Sequence, residues 1–227
     1  MADGAVNRQG MVSLVGAGPG DDGLLTAVGA ERCLEWADLI VADRLALPAI
    51  ERWRVRLASR GVEIIDAGKA PGGAGWTQQR IHALLIARAR EGKRVVRLKG
   101  GDPFIFGRGL EEVQVLEAAG VPWEVIPGLS SVLAAPALAG IALTLRGVAS
   151  AFHVLTGETG DGGDGLARWR EAARLPGTLV VLMGVSGLAR VTGGLIQGGM
   201  SGDTPCALIE RASLPDQRVT VAPLTAL

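Results

Sequence analysis

Two glycine-rich turns carry the residues best suited to chemistry in this sequence. Each follows a short apolar run, and in parallel sheets ligands bind where strands end. The first, Gly18-Pro19-Gly20-Asp21-Asp22-Gly23, has the spacing GxGxxG, and Asp43 lies 20 residues beyond its last glycine. That is the spacing of dinucleotide sites, in which the distant carboxylate holds a ribose hydroxyl. Two features oppose this reading: Pro19 lacks a backbone N–H, and Asp21 and Asp22 put negative charge where a diphosphate would sit. A purely structural turn is the other alternative. The second turn, Lys99-Gly100-Gly101-Asp102-Pro103, ends the run Arg94–Lys99. Two missing side chains let the backbone approach a ligand, Asp102 can bond hydroxyls or a cation, and Pro103 fixes the exit. Together the turns suit a small ligand bearing hydroxyls and positive charge. Asp43, at a strand end, suits a base; capping a helix or pairing with Arg44 are its alternative readings.

The chain that must position these groups has 227 residues, 48% of them hydrophobic, enough for one large domain or two small ones. It holds 23 basic and 23 acidic residues. The balance argues against a nucleic-acid binder relying on broad positive charge, and the scarcity of aromatics (no Tyr, three Phe, five Trp) argues against a base-stacking platform. Glycine is abundant, 34 residues without a period, in a background of Val, Leu and Ala, which points to many tight turns rather than disorder. Cys33 and Cys206 form no CxxC pair and read as small buried hydrophobes in a reduced compartment. No apolar run reaches the ~18 residues of a membrane span, and the polar start has no signal-peptide core, so the chain reads as cytoplasmic.

Strand-like and helical runs alternate. Strands are expected at Met11–Val15, Asp38–Asp43, Val62–Ile65, Arg94–Lys99 and Trp123–Ile126. Helices are expected over Leu24–Ala37, from Thr77 to Gly92 and over Leu110–Ala119. After the breaker Pro127-Gly128 come a small-residue helix, Ser130–Ala139, then strand Ala151–Leu155 and a flexible loop at Gly160–Gly165. Helix Leu166–Ala173, strand Thr178–Met183, helix Leu188–Gln197 and strands Cys206–Ile209 and Arg218–Val221 complete the series. The alternation predicts an α/β protein with largely parallel sheets, divided into an N-terminal domain, 11–127, and a C-terminal domain, 128–227.

Several segments together resemble the tetrapyrrole methylases. They are Val15-Gly16-Ala17-Gly18-Pro19-Gly20-Asp21, Val41-Ala42-Asp43-Arg44-Leu45, Gly68-Lys69, the stretch from Arg94 through Gly100-Gly101-Asp102-Pro103-Phe104-Ile105-Phe106-Gly107-Arg108 to Gly109, and Val125-Ile126-Pro127-Gly128. The resemblance spans residues 12 to about 225, and the Gly-Gly-Asp-Pro-Phe segment is similar to that of the uroporphyrinogen III C-methyltransferases. It implies two α/β domains with the site in the cleft between them, S-adenosylmethionine as methyl donor and a homodimer. The implied reaction methylates uroporphyrinogen III at C2 and C7, giving precorrin-2 for sirohaem or cobalamin synthesis. It further implies that the cofactor lies against Pro19, Gly100, Gly101, Asp102 and Ile105, with Ser130, Ser131, Met183 and Ala212 completing its site. Asp43 matches the family's proton acceptor and Lys69 its proton donor. A solvated loop cation is the other reading of Lys69. The sequence departs from the family pattern at Ala42, Ala70 and Leu145, and the resemblance implies a last strand beyond Leu227.

An anionic substrate needs local positive charge. Arg80 to Arg108 holds eight basic residues and two acids, although Arg88, Arg90 and Lys93 also suit the wet face of a helix. Arg108, beside the second turn, and Arg146 are the candidates for substrate carboxylates. His82 and His153 have no partner at ligand spacing, so no metal site is expected. Ser130-Ser131 lacks the second glycine of a nucleophile elbow. Other activities of the same fold stay open, namely a precorrin methyltransferase, diphthine synthase or a ribosomal-RNA ribose methyltransferase. An NAD(P)-dependent oxidoreductase and a silent cofactor-binding paralogue are the readings from other classes.

Overall fold

The structure, a computed structural model, describes residues 9–68, 76–158 and 165–227. Lys69 and Ala70, like the loop residues 160–164, lie outside them. By its contacts the chain forms two compact units, one ending at Ser131 and the other beginning at Val132.

The first unit is a five-stranded sheet built from β1 (Met11–Gly16), β2 (Leu39–Ala42), β3 (Glu63–Asp66), β4 (Arg94–Lys99) and β5 (Trp123–Ile126). Its order is β3-β2-β4-β1-β5 and every pairing is parallel. The central strands are apolar on both faces because both are covered. Val15, Ile40, Ala42, Val96 and Leu98 enter one core with Cys33, Ala49, Ile50 and Leu57. Val12, Leu14, Leu39, Val41 and Val95 enter the other with Ile81, Leu85, Val113 and Leu116. The first core takes in the segment around α1 (Ala27–Glu31), and the second takes α3 (Gln78–Arg90) and α4 (Gly109–Ala118). The chain thus leaves β1 over one face and β4 over the other, although these strands are neighbours. Their C-terminal ends form the kind of switch point at which α/β sheets bind ligands.

The expected Leu24–Ala37 helix is shorter and irregular. Thr26 caps α1, its hydroxyl accepting the N–H of Gly29 at 3.1 Å, and residues Arg32–Trp36 finish as a wider π turn. A segment read as no element, Arg44–Trp53, is 3-10 helix carrying Pro48 and runs into α2, Arg54–Ser59. Thr77 caps α3 as expected, accepting the N–H of Arg80 at 3.2 Å.

After α5 (Ser131–Leu138) the second unit pairs β6 (Phe152–Thr156) with β7 (Thr178–Leu182) in parallel. Helices α6 (Gly165–Ala172) and α7 (Leu188–Gln197) pack around the buried Trp169, with Val191, Leu195 and Leu224. Strands β8 (Pro205–Glu210) and β9 (Arg218–Pro223) are antiparallel, so the expectation of largely parallel sheets fits the five-stranded sheet but not this pair. The connection between β8 and β9 is a return loop, which two antiparallel neighbours can use and two parallel ones cannot.

Candidate functional site

The ends of β4, β1 and β5 are drawn together by glycine. The turn after β1 and the turn after β4 are bonded to each other: Gly18 donates to the Gly101 carbonyl at 3.2 Å and Gly101 donates to that of Gly18 at 2.8 Å. A Cβ on Gly16 would come within 2.6 Å of the Gly101 carbonyl oxygen, and one on Gly128 within 2.6 Å of the Gly16 Cα. Both distances are well inside contact, so only glycine permits this approach of three backbones. Gly101 also has φ +64°, the left-handed region. Gly100 differs: an added Cβ would meet only the Leu45 Cβ, at 3.6 Å, so this position is open toward one side.

Asp102 ties the turn together. Its Oδ1 accepts the N–H of Phe104 at 2.8 Å and its Oδ2 accepts that of Gly128 at 3.1 Å. The carboxylate therefore shapes the turn and joins β4 to β5, besides offering its remaining lone pairs to a ligand hydroxyl. Beyond the buried Pro103, Phe104, Ile105 and Phe106 are large, apolar and exposed. Ser130 lies beyond Gly128, and its Cα would be 3.7 Å from a Cβ on Gly101; Ser131 N would be 3.8 Å away. Pro19 is half-buried in the first turn. The structure thus brings Pro19, Gly100, Gly101, Asp102, Ser130 and Ser131 to one edge of the sheet.

The GxGxxG spacing is not a diphosphate cradle here. Asp21 turns back on its own loop and accepts the Gly23 N–H at 2.7 Å, and Asp22 pairs with Arg52. Helix α1 begins only at Ala27, so its N-terminus is not at the last glycine of the motif.

Asp43 follows β2 on the same edge, and neither alternative reading of it holds. It stands at the start of the 3-10 segment without a side-chain cap bond, and its ion pairs are with Arg97 and Lys99, not Arg44. Register explains this. Val41 lies opposite Arg97 in the sheet, so Asp43 falls opposite Lys99 one step past the strand end. The Arg97 guanidinium bonds Asp43 Oδ1, and the Lys99 ammonium stands 3.7 Å from Oδ2. Both cations also reach Glu112 Oε1, each at 3.1 Å. Burial is the main influence holding the Lys99 ammonium below its usual range, with the neighbouring Arg97 charge adding to it.

Arg97, Lys99 and Glu112 correct the charge reading of this region. The first two belong to the eight basic residues between Arg80 and Arg108, but they are buried and balanced by Glu112 and Asp43, so they are not free to meet a substrate anion. Arg88 pairs with Glu91, and Arg80 stacks on Trp76 with 4.8 Å to the ring centroid. Arg108 is exposed and forked onto Glu111 at 2.8 and 2.6 Å. The sequence signal for the network is two basic residues at i, i+2, Arg97 and Lys99, interleaved with Val96 and Leu98 in a buried strand. Among the described residues no group of three or more His, Cys, Asp or Glu is placed to hold a metal. No described helix is long and apolar enough to cross a membrane.

In the second unit, the ends of β6 and β7 repeat the glycine device. Gly157 donates to the Leu182 carbonyl at 2.6 Å, and a Cβ on it would be 2.5 Å from the Gly184 Cα. Met183, between Leu182 and Gly184, is exposed with φ +54°. Ala212 lies in the β8–β9 loop between Arg211 and Ser213, at φ +50° and +70°. Arg146 is exposed. The other non-glycine residues with positive φ among those described are Phe106 and Arg108. All five thus fall in the loops that hold the candidate residues Ile105, Arg108, Met183 and Ala212. Left-handed backbone at non-glycine residues is costly, and such positions recur at ligand clamps and switch regions.

A family model described as tetrapyrrole (corrin/porphyrin) methylases matches residues 11–227. A siroheme synthase of Sodalis glossinidius is 45% identical over 96% of this chain and 45% of its own length. A porphyrin biosynthesis protein HemD of Ruminiclostridium josui is 43% identical over 95% of this chain and 42% of its own. The chain thus spans less than half the length of these curated relatives. Among solved structures, a uroporphyrin-III C-methyl transferase from Thermus thermophilus, complexed with S-adenyl homocysteine, is 42% identical with a TM-score of 0.77. That match covers 95% of this chain and 89% of the other.

Proposed function

This chain belongs to the tetrapyrrole (corrin/porphyrin) methylases, and from that premise we propose that it transfers methyl groups from S-adenosylmethionine to uroporphyrinogen III, at C2 and C7, to give precorrin-2. The observation that carries the reading is the glycine cradle at the ends of β4, β1 and β5, with Gly100 open and Asp102 at its rim. A sulfonium nucleoside needs backbone carbonyls, apolar contact and an acceptor for ribose hydroxyls, and these residues offer all three. Likeness to a methyl transferase complexed with S-adenyl homocysteine supports the same assignment.

Bound, the cofactor would supply an electrophilic methyl group, to which a pyrrole carbon bonds in line as the methyl–sulfur bond breaks and S-adenosylhomocysteine leaves, so positioning dominates the rate. In this reading Pro19, Gly100, Gly101 and the backbone around Ile105 hold the donor on the first unit, with Ser130 and Ser131 beside them. Met183 and Ala212 are the further contacts that the family resemblance implies. Asp102 accepts from hydroxyls while keeping its two backbone bonds. Methylation leaves positive charge in the macrocycle, which a proton must leave to discharge. Asp43 is the acceptor: Arg97 holds one of its oxygens, and the carboxylate is still about one-third exposed at the strand edge. Lys69, which follows Gly68, is the proton donor. Arg108 and Arg146 pair with substrate carboxylates, Arg108 by exchanging Glu111 for one of them. The active form is a homodimer, working in the cytoplasm.

Incubation with uroporphyrinogen III and radiolabelled methyl donor tests this directly. Two methyls incorporated per macrocycle is the expected result; none, from a folded protein, refutes the reading. Calorimetry separates the oxidoreductase alternative, since S-adenosylhomocysteine should bind and NAD should not. Light scattering tests the dimer.

A further inference from the structure

We propose that Glu112, on the inner side of α4, is a positioning residue for Asp43 and acts on it through Arg97 and Lys99. The inference rests on the reading of Asp43 as proton acceptor, and it assigns a role to three residues lying behind that carboxylate.

The geometry forms one connected path. Glu112 is fully buried (0% exposed), and Arg97 and Lys99 are 1% and 2% exposed. Glu112 Oε1 accepts from Arg97 Nε and Lys99 Nζ, each at 3.1 Å, and from Gln78 Nε2 at 2.9 Å. The opposite end of the same guanidinium bonds Asp43 Oδ1. Its third nitrogen donates to the Val41 and Leu98 carbonyls at 3.2 and 3.3 Å, which fixes the plane of the group. Arg97 is thus a rigid fork with one prong on Glu112 and another on Asp43. Lys99 repeats the link to the second oxygen of Asp43 at 3.7 Å. Of the four charged groups, Asp43 is the one that reaches solvent.

Burying three charged groups costs several kcal/mol per ion by general estimate, and apolar side chains of similar volume usually serve stability as well or better. Val95, Val96 and Leu98 show that β4 accepts apolar residues on both faces. A costly network aimed at one surface carboxylate is what orienting that carboxylate requires. A proton acceptor must also stand within about 0.5 Å of the productive geometry.

The test combines kinetics with a structure. In Glu112→Ala, kcat should fall by about 10- to 100-fold, with the KM for uroporphyrinogen III and the affinity for S-adenosylhomocysteine unchanged. Glu112→Gln keeps an acceptor for all three donors and should recover most of that loss. In the Asp43→Asn background, Glu112→Ala should cost nothing further, because the group it positions is gone. Equal losses in both backgrounds, or a loss of S-adenosylhomocysteine binding alongside kcat, would show a merely structural role and overturn the proposal. If Glu112→Ala does not fold, Arg97→Lys is the second variant: it keeps the charge but cannot bond both carboxylates, and the same pattern is expected. A crystal structure of the folded variant decides the matter without turnover. Asp43 should be displaced or take two orientations, and an unmoved Asp43 sinks the proposal. Absence of methyl transfer by the unaltered chain would instead refute the functional reading and leave this structural outcome to be read on its own.

Discussion

Asp102 Oδ2 accepts the backbone N–H of Gly128 at 3.1 Å, so the carboxylate that a ligand would meet also fastens the end of β4 to the end of β5. Asp102→Ala removes this bond and the one from Phe104 together. Affinity for S-adenosylhomocysteine should fall by about tenfold or more, equivalent to ~1.4 kcal/mol, in a titration calorimeter. Unchanged affinity would mean that the nucleoside does not lie at this turn.

Gly100 and Gly128 sit in the same cradle yet should respond oppositely to alanine. A methyl on Gly128 would overlap the Gly101 carbonyl and the Gly16 backbone. Thermal unfolding should show a loss of roughly 1–3 kcal/mol or more, as for other overpacked sites. A methyl on Gly100 meets one side chain at ordinary contact distance. Gly100→Ala should therefore unfold like the parent and lose S-adenosylhomocysteine binding, because the space it fills is the ligand's. A Gly100→Ala variant that binds normally would remove Gly100 from the site.

The contrast between Gly100 and Gly128 shows which parts of the site were legible in the sequence. Glycine turns after apolar runs are local signals, and they placed the edge of the sheet that carries the candidate cofactor residues. The partners of Asp43 were not legible, because its neighbours Arg97 and Lys99 come from strand register, fixed by long-range pairing. Residues Arg44–Trp53 escaped for a local reason: Pro48 interrupts the pattern of an α-helix, and the segment folds as 3-10 turns instead. The direction of β9 escaped as well, since a strand's own residues do not say whether its neighbour runs with or against it.

Glu124 on β5 accepts from Ser13 Oγ at 2.6 Å and from Arg32 Nε at 2.7 Å, joining two strands to the turn after α1. The hydrogen bond from Arg32 is the main influence holding the Glu124 carboxyl below the usual range, and the Ser13 bond adds to it. A depressed folded-state value means that the stabilisation is present above the unfolded-state value, ~4.3, and is lost as pH falls through the folded-state value. Glu124→Gln should therefore cost on the order of 1 kcal/mol at neutral pH. The gap between the two proteins should close in denaturant titrations taken progressively below pH 4.5. A gap independent of pH would show that the hydrogen-bonding shape, and not the charge, carries the stabilisation.

Burial pushes the Cys33 thiol up to about 12, and the side chain is enclosed by the core that holds Val15, Ile40 and Val96. Cys206, half-buried at the start of β8, donates its thiol to the Thr204 carbonyl at 3.3 Å. Since the thiolate is the reactive species, a maleimide or disulfide reagent should label Cys206 first. Cys33 should react only at the rate of unfolding. Rapid labelling of both in native buffer, read by mass spectrometry, would show that this core opens.

Met183 holds φ +54°, a conformation that costs a non-glycine residue roughly 1–2 kcal/mol. It is also exposed, so its side chain recovers little of that by packing. Met183→Gly removes the strain and the thioether together. If the loop is strained to present Met183 to the methyl donor, the variant should melt no lower than the parent, and higher if the strain is relieved in full. Its affinity for S-adenosylhomocysteine should nevertheless drop. Met183→Leu should recover most of the binding through apolar contact but regain none of the stability, because leucine is strained at the same angle. A Met183→Gly protein that binds as tightly as the parent would leave the strain without a function in the second unit, and the candidate contact at Ala212 would have to be tested in its place.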